Sequence, residues 1–217
     1  MKNKLVEFDK IEKENFEFLI GTDEAGRGPG AGGVYAAAVC FTDLDNPIIK
    51  ELKDVNDSKQ LSEIVREELY EIIKLSCVYS VKFGTVEEIE KYNILRTSLA
   101  TMKKACEDVI SQLKSKDIKV IVDGNKLIPS FIYPQKFIVK GDEHSFSIAA
   151  ASILAKVERD REMIRLANEF PQYGWDKNKG YLTKEHLEAI DKYGLTKYHR
   201  KSFLHKHFEK CEQLSLF

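Results

Sequence analysis

Three short apolar runs in this sequence each end on an acid, and that repetition constrains the chain more than any other feature. Ile20-Gly21-Thr22 runs into Asp23-Glu24, Val120-Ile121-Val122 into Asp123-Gly124, and Ile138-Val139-Lys140-Gly141 into Asp142. Short apolar runs closed by turn residues read as buried strands. Any one such acid is adequately explained as a turn cap. Together they carry more meaning if the strands are neighbours that finish at one rim. Like charges would then crowd and raise one another's pKa, and a cation between them would relieve the repulsion. The donors are hard oxygens, which favours Mg²⁺ or Mn²⁺. A carboxylate cluster holding two such ions suits in-line attack of water on a phosphodiester. No Ser/His/Asp order or Cys/His pair offers a competing nucleophile.

The rest of the chain supplies a scaffold for these runs. Residues 16–22 and 34–42 read as two strands joined through the Gly-rich turn Ala25–Gly33, which makes an antiparallel pair. Apolar spacing predicts a helix over 61–75 with Ser58 or Ser62 as N-cap, and another over 94–114. Cys77–Phe83 alternates as a strand, and Thr85-x-x-Glu88 is a capping box opening a short helix. Lys119–Val122 and Phe137–Val139 are short strands. Ser145–Ala167 is a strong Ala-rich helix, followed by helices over 183–192 and 204–213. Strands first, then alternating helix and strand, argue for a mixed sheet with helices packed against it.

Length and composition close off other classes. With 217 residues, 43% of them hydrophobic, the chain can bury a real core as one domain with a small appendage. No run approaches the roughly 18 apolar residues of a membrane span, and the N-terminal segment is too acidic for a signal peptide. Four cysteines without short spacing form neither a disulfide framework nor a zinc site, so a cytoplasmic, reducing setting is expected. Most of the five histidines are expected on the surface or facing phosphate. The net charge of −1 hides an asymmetry, because residues 176–206 carry eight Lys/Arg against four acids. A basic end on an acidic body suits a polyanion partner, although a solvated helix face reads the same way.

The Gly-rich turn contains a G-x-G-x-x-G match at Gly28, Gly30 and Gly33. A dinucleotide site requires a helix next, whereas Val34–Phe41 has the β-branched and aromatic content of a strand. The better use of the turn is close backbone approach to a sugar or phosphate, with Arg27 beside the acids.

Taken together, these residues resemble the ribonuclease HII family of bacteria, the type 2 ribonucleases H. The resemblance is carried by Gly21-Thr22-Asp23-Glu24-Ala25-Gly26-Arg27-Gly28-Pro29, Asn56-Asp57-Ser58-Lys59-Gln60-Leu61-Ser62, Asp123-Gly124-Asn125 and Val139-Lys140-Gly141-Asp142. It continues through Ser147–Val157, Arg159-Asp160-Arg161, Phe170–Gly174, Lys179-Gly180-Tyr181-x-Thr183-Lys184-Glu185-His186 and His199-Arg200-x-Ser202-Phe203, in order over about residues 17–204. So many spaced motifs are far more specific than a single pattern.

The resemblance implies an α/β ribonuclease H-like fold, a mixed five-stranded sheet flanked by helices with a small helical C-terminal part. Residues 1–170 would be the catalytic domain and 171–212 a basic helical segment contacting substrate. It implies endonucleolytic cleavage of RNA in RNA–DNA hybrids and at single ribonucleotides in duplex DNA. Cleavage would fall on the 5′ side of the ribonucleotide, leaving a 3′-hydroxyl and a 5′-phosphate. Asp23, Glu24, Asp123 and Asp142 would be the catalytic acids and would hold two ions of Mg²⁺ or Mn²⁺. Gly26, Arg27 and Gly28 would read the 2′-hydroxyl, the one group that marks RNA at a single position. Tyr181 would pack on the neighbouring deoxyribose. Ser58, Lys59, Lys156, Lys179, Arg200 and Ser202 would contact phosphates. A monomer is the family's usual state.

The chain departs from the family pattern at few places. Gly30, Gly33 and Tyr35 stand where Leu, Pro and Val are common, and the two glycines are expected to loosen the turn. Lys126 and Asn178 stand where Arg and His are usual. Intact acids at all four positions count against a binding module without chemistry. The final residues, Gln213-Leu214-Ser215-Leu216-Phe217, resemble the pentapeptide that binds the bacterial sliding clamp. An apolar tail folded back on the body is the alternative.

Overall fold

A computed structural model describes the backbone of residues 3–52, 55 and 61–214, with their side chains apart from 206 and 210–214. Ser58, Lys59 and the last three residues of the 213–217 tail lie outside the described residues. The strands are β1 (Phe18–Ala25), β2 (Val34–Cys40), β3 (Val78–Gly84), β4 (Ile118–Asp123) and β5 (Gln135–Ile138). The helices are α1 (Lys4–Lys13), α2 (Glu63–Ser76), α3 (Val86–Tyr92), α4 (Ile94–Leu113), α5 (Phe146–Glu169), α6 (Trp175–Asn178), α7 (Lys184–Tyr193) and α8 (Lys201–Leu214). The five strands form one mixed sheet in the order β3-β2-β1-β4-β5. β1 pairs antiparallel with β2 and β2 with β3, while β1–β4 and β4–β5 are parallel. This is a ribonuclease H-like fold.

Strand alternation divides the central sheet between two helical layers. Ile20, Ala36, Ala38, Val120 and Val122 pack with Leu99, Met102, Ala105 and Val109 of α4. Ala37 and Val39 pack with Phe146, Ala149, Ala150 and Ile153 of α5, and Leu19 and Ile121 with Ile148. β2 is buried on both faces, which explains why Val34–Cys40 lacks a polar side. Gly21 lies on the α5 face, where any Cβ would overlap the Ser147 backbone. A side chain there would hold the start of α5 away from β1. Helices α6 to α8 pack on the far half of α5 through Met163, Leu166, Tyr173, Trp175, Ile190 and Leu204.

Local features differ from the sequence expectation in several places, two of which bear on the core and the site. β1 continues through Asp23 and Glu24 to Ala25 instead of ending at Thr22, because Asp23, Glu24 and Ala25 pair with Ala37, Ala36 and Tyr35. Helix α1 is also present, capped by the Asn3 side chain accepting from Leu5 N–H. α1 carries Asp9, which is fully buried. Its carboxylate accepts from Ser145 Oγ at 2.6 Å, Ser147 N–H at 2.7 Å and Ser147 Oγ at 2.6 Å. The Asp9 carboxylate thereby fastens α1 to the N-terminal end of α5, where the helix dipole favours negative charge.

Burial nonetheless raises the Asp9 pKa to about 6, above the ordinary 3.8. A carboxylate with a raised folded-state pKa contributes stability that is complete below the unfolded pKa and lost as pH climbs through the folded one. Asp9→Asn stays neutral throughout. Its stability relative to wild type should therefore rise between pH 4 and pH 7, by no more than about 3 kcal/mol at about 1.4 kcal/mol per pKa unit. Paired denaturant melts across that range check this, and parallel curves would contradict it.

Candidate active site

Parallel pairing of β1 with β4 sets Thr22 opposite Val122, so Asp23 and Asp123 leave the sheet at the same rim. Beyond β5 the chain bends into a 3-10 turn, Gly141–Glu143, that carries Asp142. The turn is tied to the rim by Gly141 N–H donating to Asp123 Oδ1 at 2.6 Å. Gly124 N–H donates to Ile138 O at 2.9 Å beside it.

Asp23, Glu24 and Asp123 line one cleft of about 410 Å³ together with Gly26, Arg27, Gly28, Ser152, Lys156, Arg159 and Tyr181. Asp142 is buried, 4% exposed, in the adjoining turn, and is not among the residues lining the cleft. Hollows of similar size exist elsewhere. They include an apolar groove along Tyr92, Leu99 and Lys104 and a dip around Gln172 and Lys177. Each is lined by a single acid, so size alone does not mark the site.

Asp23 and Glu24 are consecutive on a strand, so they face opposite layers. Asp23 takes a hydrogen bond from Ser152 of α5, and Glu24 one from Ser98 of α4. Both helical layers thus support the same strand end. Asp23 Oδ1 also accepts from Glu24 N–H at 2.6 Å, and Glu24 Oε1 from Arg27 Nη1 at 3.2 Å. Burial first, then the charges of Glu24 and Asp123, push the Asp23 pKa well above the ordinary carboxylate range. Burial also raises that of Glu24, against the opposing effect of Arg27. Among the described residues, no three His, Cys, Asp or Glu side chains are already gathered around one point as a metal cage. The donor chemistry nonetheless fits hard divalent cations. The cleft offers buried oxygen ligands whose mutual repulsion a positive ion would relieve.

Behind the Gly26–Gly33 turn stand two buried guanidinium groups. Arg200 is fully buried, and donates to Gly26 O at 2.7 Å, Gly32 O at 2.8 Å, Gly33 O at 3.0 Å and Arg27 O at 3.3 Å. This corrects the sequence reading of Arg200 as a phosphate contact. A side chain spent on four main-chain carbonyls inside the protein has no face left for a phosphate. Arg159 donates to Lys179 O at 2.6 Å, and its Nε is the buried side-chain atom without a partner among the described residues. It occupies the space beside Gly26, whose φ of +100° suits glycine alone.

The turn is also held from outside. Gly30 and Ala31 N–H donate to Gly180 O at 2.9 and 3.2 Å, and Arg200 N–H donates to Gly30 O at 2.7 Å. The loosening expected from Gly30 and Gly33 is therefore corrected, because the turn is anchored from both sides.

Lys156 sits at the cleft with Nζ donating to Asp160 Oδ1 at 2.7 Å, and burial lowers its pKa. Tyr181 is half exposed at the mouth. Lys179 and Ser202 do not line the cleft. Lys179 Nζ donates to Asp176 O at 2.6 Å, and Ser202 Oγ to Glu90 Oε1 at 2.7 Å. Sequence reasoning missed Ser98, Ser152 and Arg159 as site residues. For Ser152 and Arg159 the signal was present, since Ser152, Lys156 and Arg159 recur at the spacing of one helix face. It also missed that His186 and His199 are buried.

The chain is similar to known proteins in sequence and in fold. A family model described as Ribonuclease HII matches residues 20–211. A Ribonuclease HII of Fusobacterium nucleatum is 49% identical over 214 residues, covering 98% of this chain and 96% of that protein. Among solved structures, the PCNA:RNase HII complex from Archaeoglobus fulgidus aligns with a TM-score of 0.67 and 29% identity, over 84% of this chain and 93% of that one. The ribonuclease H2 from Pyrococcus horikoshii aligns with a TM-score of 0.68 and 25% identity, over 89% and 98%. The chain belongs to the Ribonuclease HII family, the type 2 ribonucleases H, and is a nuclease.

Proposed function

We propose that this nuclease hydrolyses the phosphodiester on the 5′ side of ribonucleotides, in RNA–DNA hybrids and at single ribonucleotides embedded in duplex DNA, leaving 3′-hydroxyl and 5′-phosphate ends. The observation that carries the reading is the meeting of Asp23, Glu24 and Asp123 in one cleft with Gly26, Arg27, Gly28 and Tyr181. Acids that would hold ions thus lie beside a backbone turn that can reach a 2′-hydroxyl. Asp23, Glu24, Asp123 and Asp142 are assigned as the ligands of two ions of Mg²⁺ or Mn²⁺. When bound, such ions supply a water of lowered pKa and stabilise the leaving oxygen.

The chain's own residues do the rest. The turn at Gly26–Gly28, locked from behind by Arg200, presents its backbone to the ribose. Tyr181 packs against the next sugar, and Lys156 and Arg27 bring positive charge to the phosphates. Ser58, Lys59, Lys179 and Ser202 remain assigned as outer phosphate contacts. We place the enzyme in the cytoplasm as a monomer, with residues 1–170 as the catalytic domain and 171–212 as a substrate-contacting segment. Among the described residues, no helix is long and apolar enough to cross a membrane.

Duplex DNA carrying one ribonucleotide is the test substrate. Cleavage should require Mg²⁺ or Mn²⁺ and stop with chelator. Asp123→Asn should lose more than the roughly 10–100-fold that loss of an outer-shell partner costs, with its melting transition retained. Wild-type rates in that variant, or cleavage indifferent to chelator, would contradict the assignment.

The tail Gln213–Phe217 is proposed to dock on a bacterial sliding clamp. The A. fulgidus relative above was solved in complex with PCNA, and the tail's Leu, Leu and Phe can serve as anchors in an apolar pocket. Clamp pull-down should retain the full chain and lose a chain ending at Glu212. Equal retention of both would end that reading.

A further inference from the structure

One buried polar cluster lies outside the cleft. Trp175, the chain's single tryptophan, is fully buried with His186 and His199 against Tyr173. The four rings form a closed box behind the loop that carries Tyr181. Its hydrogen bonds are directional. Thr196 N–H donates to His199 Nδ1 at 2.9 Å, so that nitrogen is an acceptor and the proton sits on Nε2. His199 Nε2 then donates to His186 Nε2 at 3.2 Å, which also accepts from Trp175 Nε1–H at 3.0 Å. His186 must therefore carry its proton on Nδ1, which donates to the main-chain oxygen of Tyr181 at 2.9 Å.

Only one tautomer of each imidazole satisfies all these partners, and both rings must be neutral. Burial keeps them so, pushing His199 down to about 4 and lowering His186 as well. A protonated His186 would aim an N–H at two other N–H groups. The chain of bonds ends on the loop beside the cleft. That loop bends through two left-handed residues, Lys179 and Gly180, then presents the half-exposed Tyr181 ring.

We propose that His186 is a positioning residue, its Nδ1–H fixing the Tyr181 backbone so that the tyrosine ring meets the substrate in register. The proposal rests on the reading of Tyr181 as a sugar contact. It assigns the Trp175–His199 pair a task as well. By occupying Nε2 with two donors, the pair forces the proton onto the nitrogen that faces Tyr181. The box thus selects a tautomer, and the tautomer holds the loop.

Two substitutions separate the two nitrogens. His186→Gln places an acceptor near the Nε2 position and loses the donor to Tyr181. His186→Asn keeps a donor near the Nδ1 position and loses the interior acceptor. Cleavage kinetics on duplex DNA with one ribonucleotide are measured for both, and for Tyr181→Ala alone and combined with His186→Gln. The indole N–H resonance of Trp175, the only one in the spectrum, reports whether the box is intact in each variant.

His186→Gln should lower kcat/KM roughly tenfold with a folded indole signal, as expected for a misplaced contact. In the Tyr181→Ala background the same change should cost less than about twofold, because coupled residues are not additive. His186→Asn should recover most of the activity while lowering thermal stability. If His186→Gln loses the folded signal, the decision passes to His186→Asn: recovery supports the proposal, and a loss equal to that of Tyr181→Ala overturns it.

An equal loss from His186→Gln in both backgrounds, or no loss in the wild-type background, overturns the role of His186 while leaving that of Tyr181 standing. Wild-type kinetics for Tyr181→Ala itself overturn both.

Discussion

The parallel pairing of β1 with β4 is the interaction on which the site depends. Its register sets Thr22 opposite Val122, and the next residue on each strand is an acid. A slip of one residue would turn the slipped strand's side chains to the other face of the sheet. The register is held because both strands are buried between layers. Ile20, Val120 and Val122 pack toward α4, and Leu19 and Ile121 toward the start of α5. The same packing lifts the pKa of Asp23, since carboxylates brought to a buried rim lose their water. Core and chemistry therefore have one cause.

A second constraint concerns positive charge. Arg159 and Arg200 lie buried behind the Gly26–Gly33 turn and occupy its carbonyls. A backbone whose carbonyls are held from behind can offer its remaining groups toward the cleft. Opposite charges thus share one wall, with acids at the strand ends and guanidinium groups beneath the turn. That division suits a polyanion whose scissile bond must come close to carboxylates.

Much of this was legible in the sequence, and for definite reasons. Runs such as Lys119–Val122 announce themselves because a buried strand needs apolar side chains on both faces. The Thr85–Glu88 capping box forms with both reciprocal hydrogen bonds, since capping is a local event. Long-range contacts were not legible. Nothing local to Asp9 indicates that its carboxylate will meet Ser145 and Ser147 more than 130 residues away. Arg200 reads as a surface cation until the fold closes the Gly-rich turn around it. His186 and His199 gave no spacing that suggests a metal or a triad, and their partnership with Trp175 exists only after α7 and the segment before α8 fold against it. The strand-end acids were readable as candidates, but their meeting depended on pairing between segments about 100 residues apart.

The rim formed by β1, β4 and the Gly141–Glu143 turn is proposed to bind divalent metal. Crystals soaked in Mn²⁺ test it most directly, through an anomalous difference map. Density is expected within coordination distance of Asp23, Glu24 and Asp123, with Asp142 drawn toward it. A map with no peak at that rim, or with manganese bound only elsewhere on the surface, would contradict it.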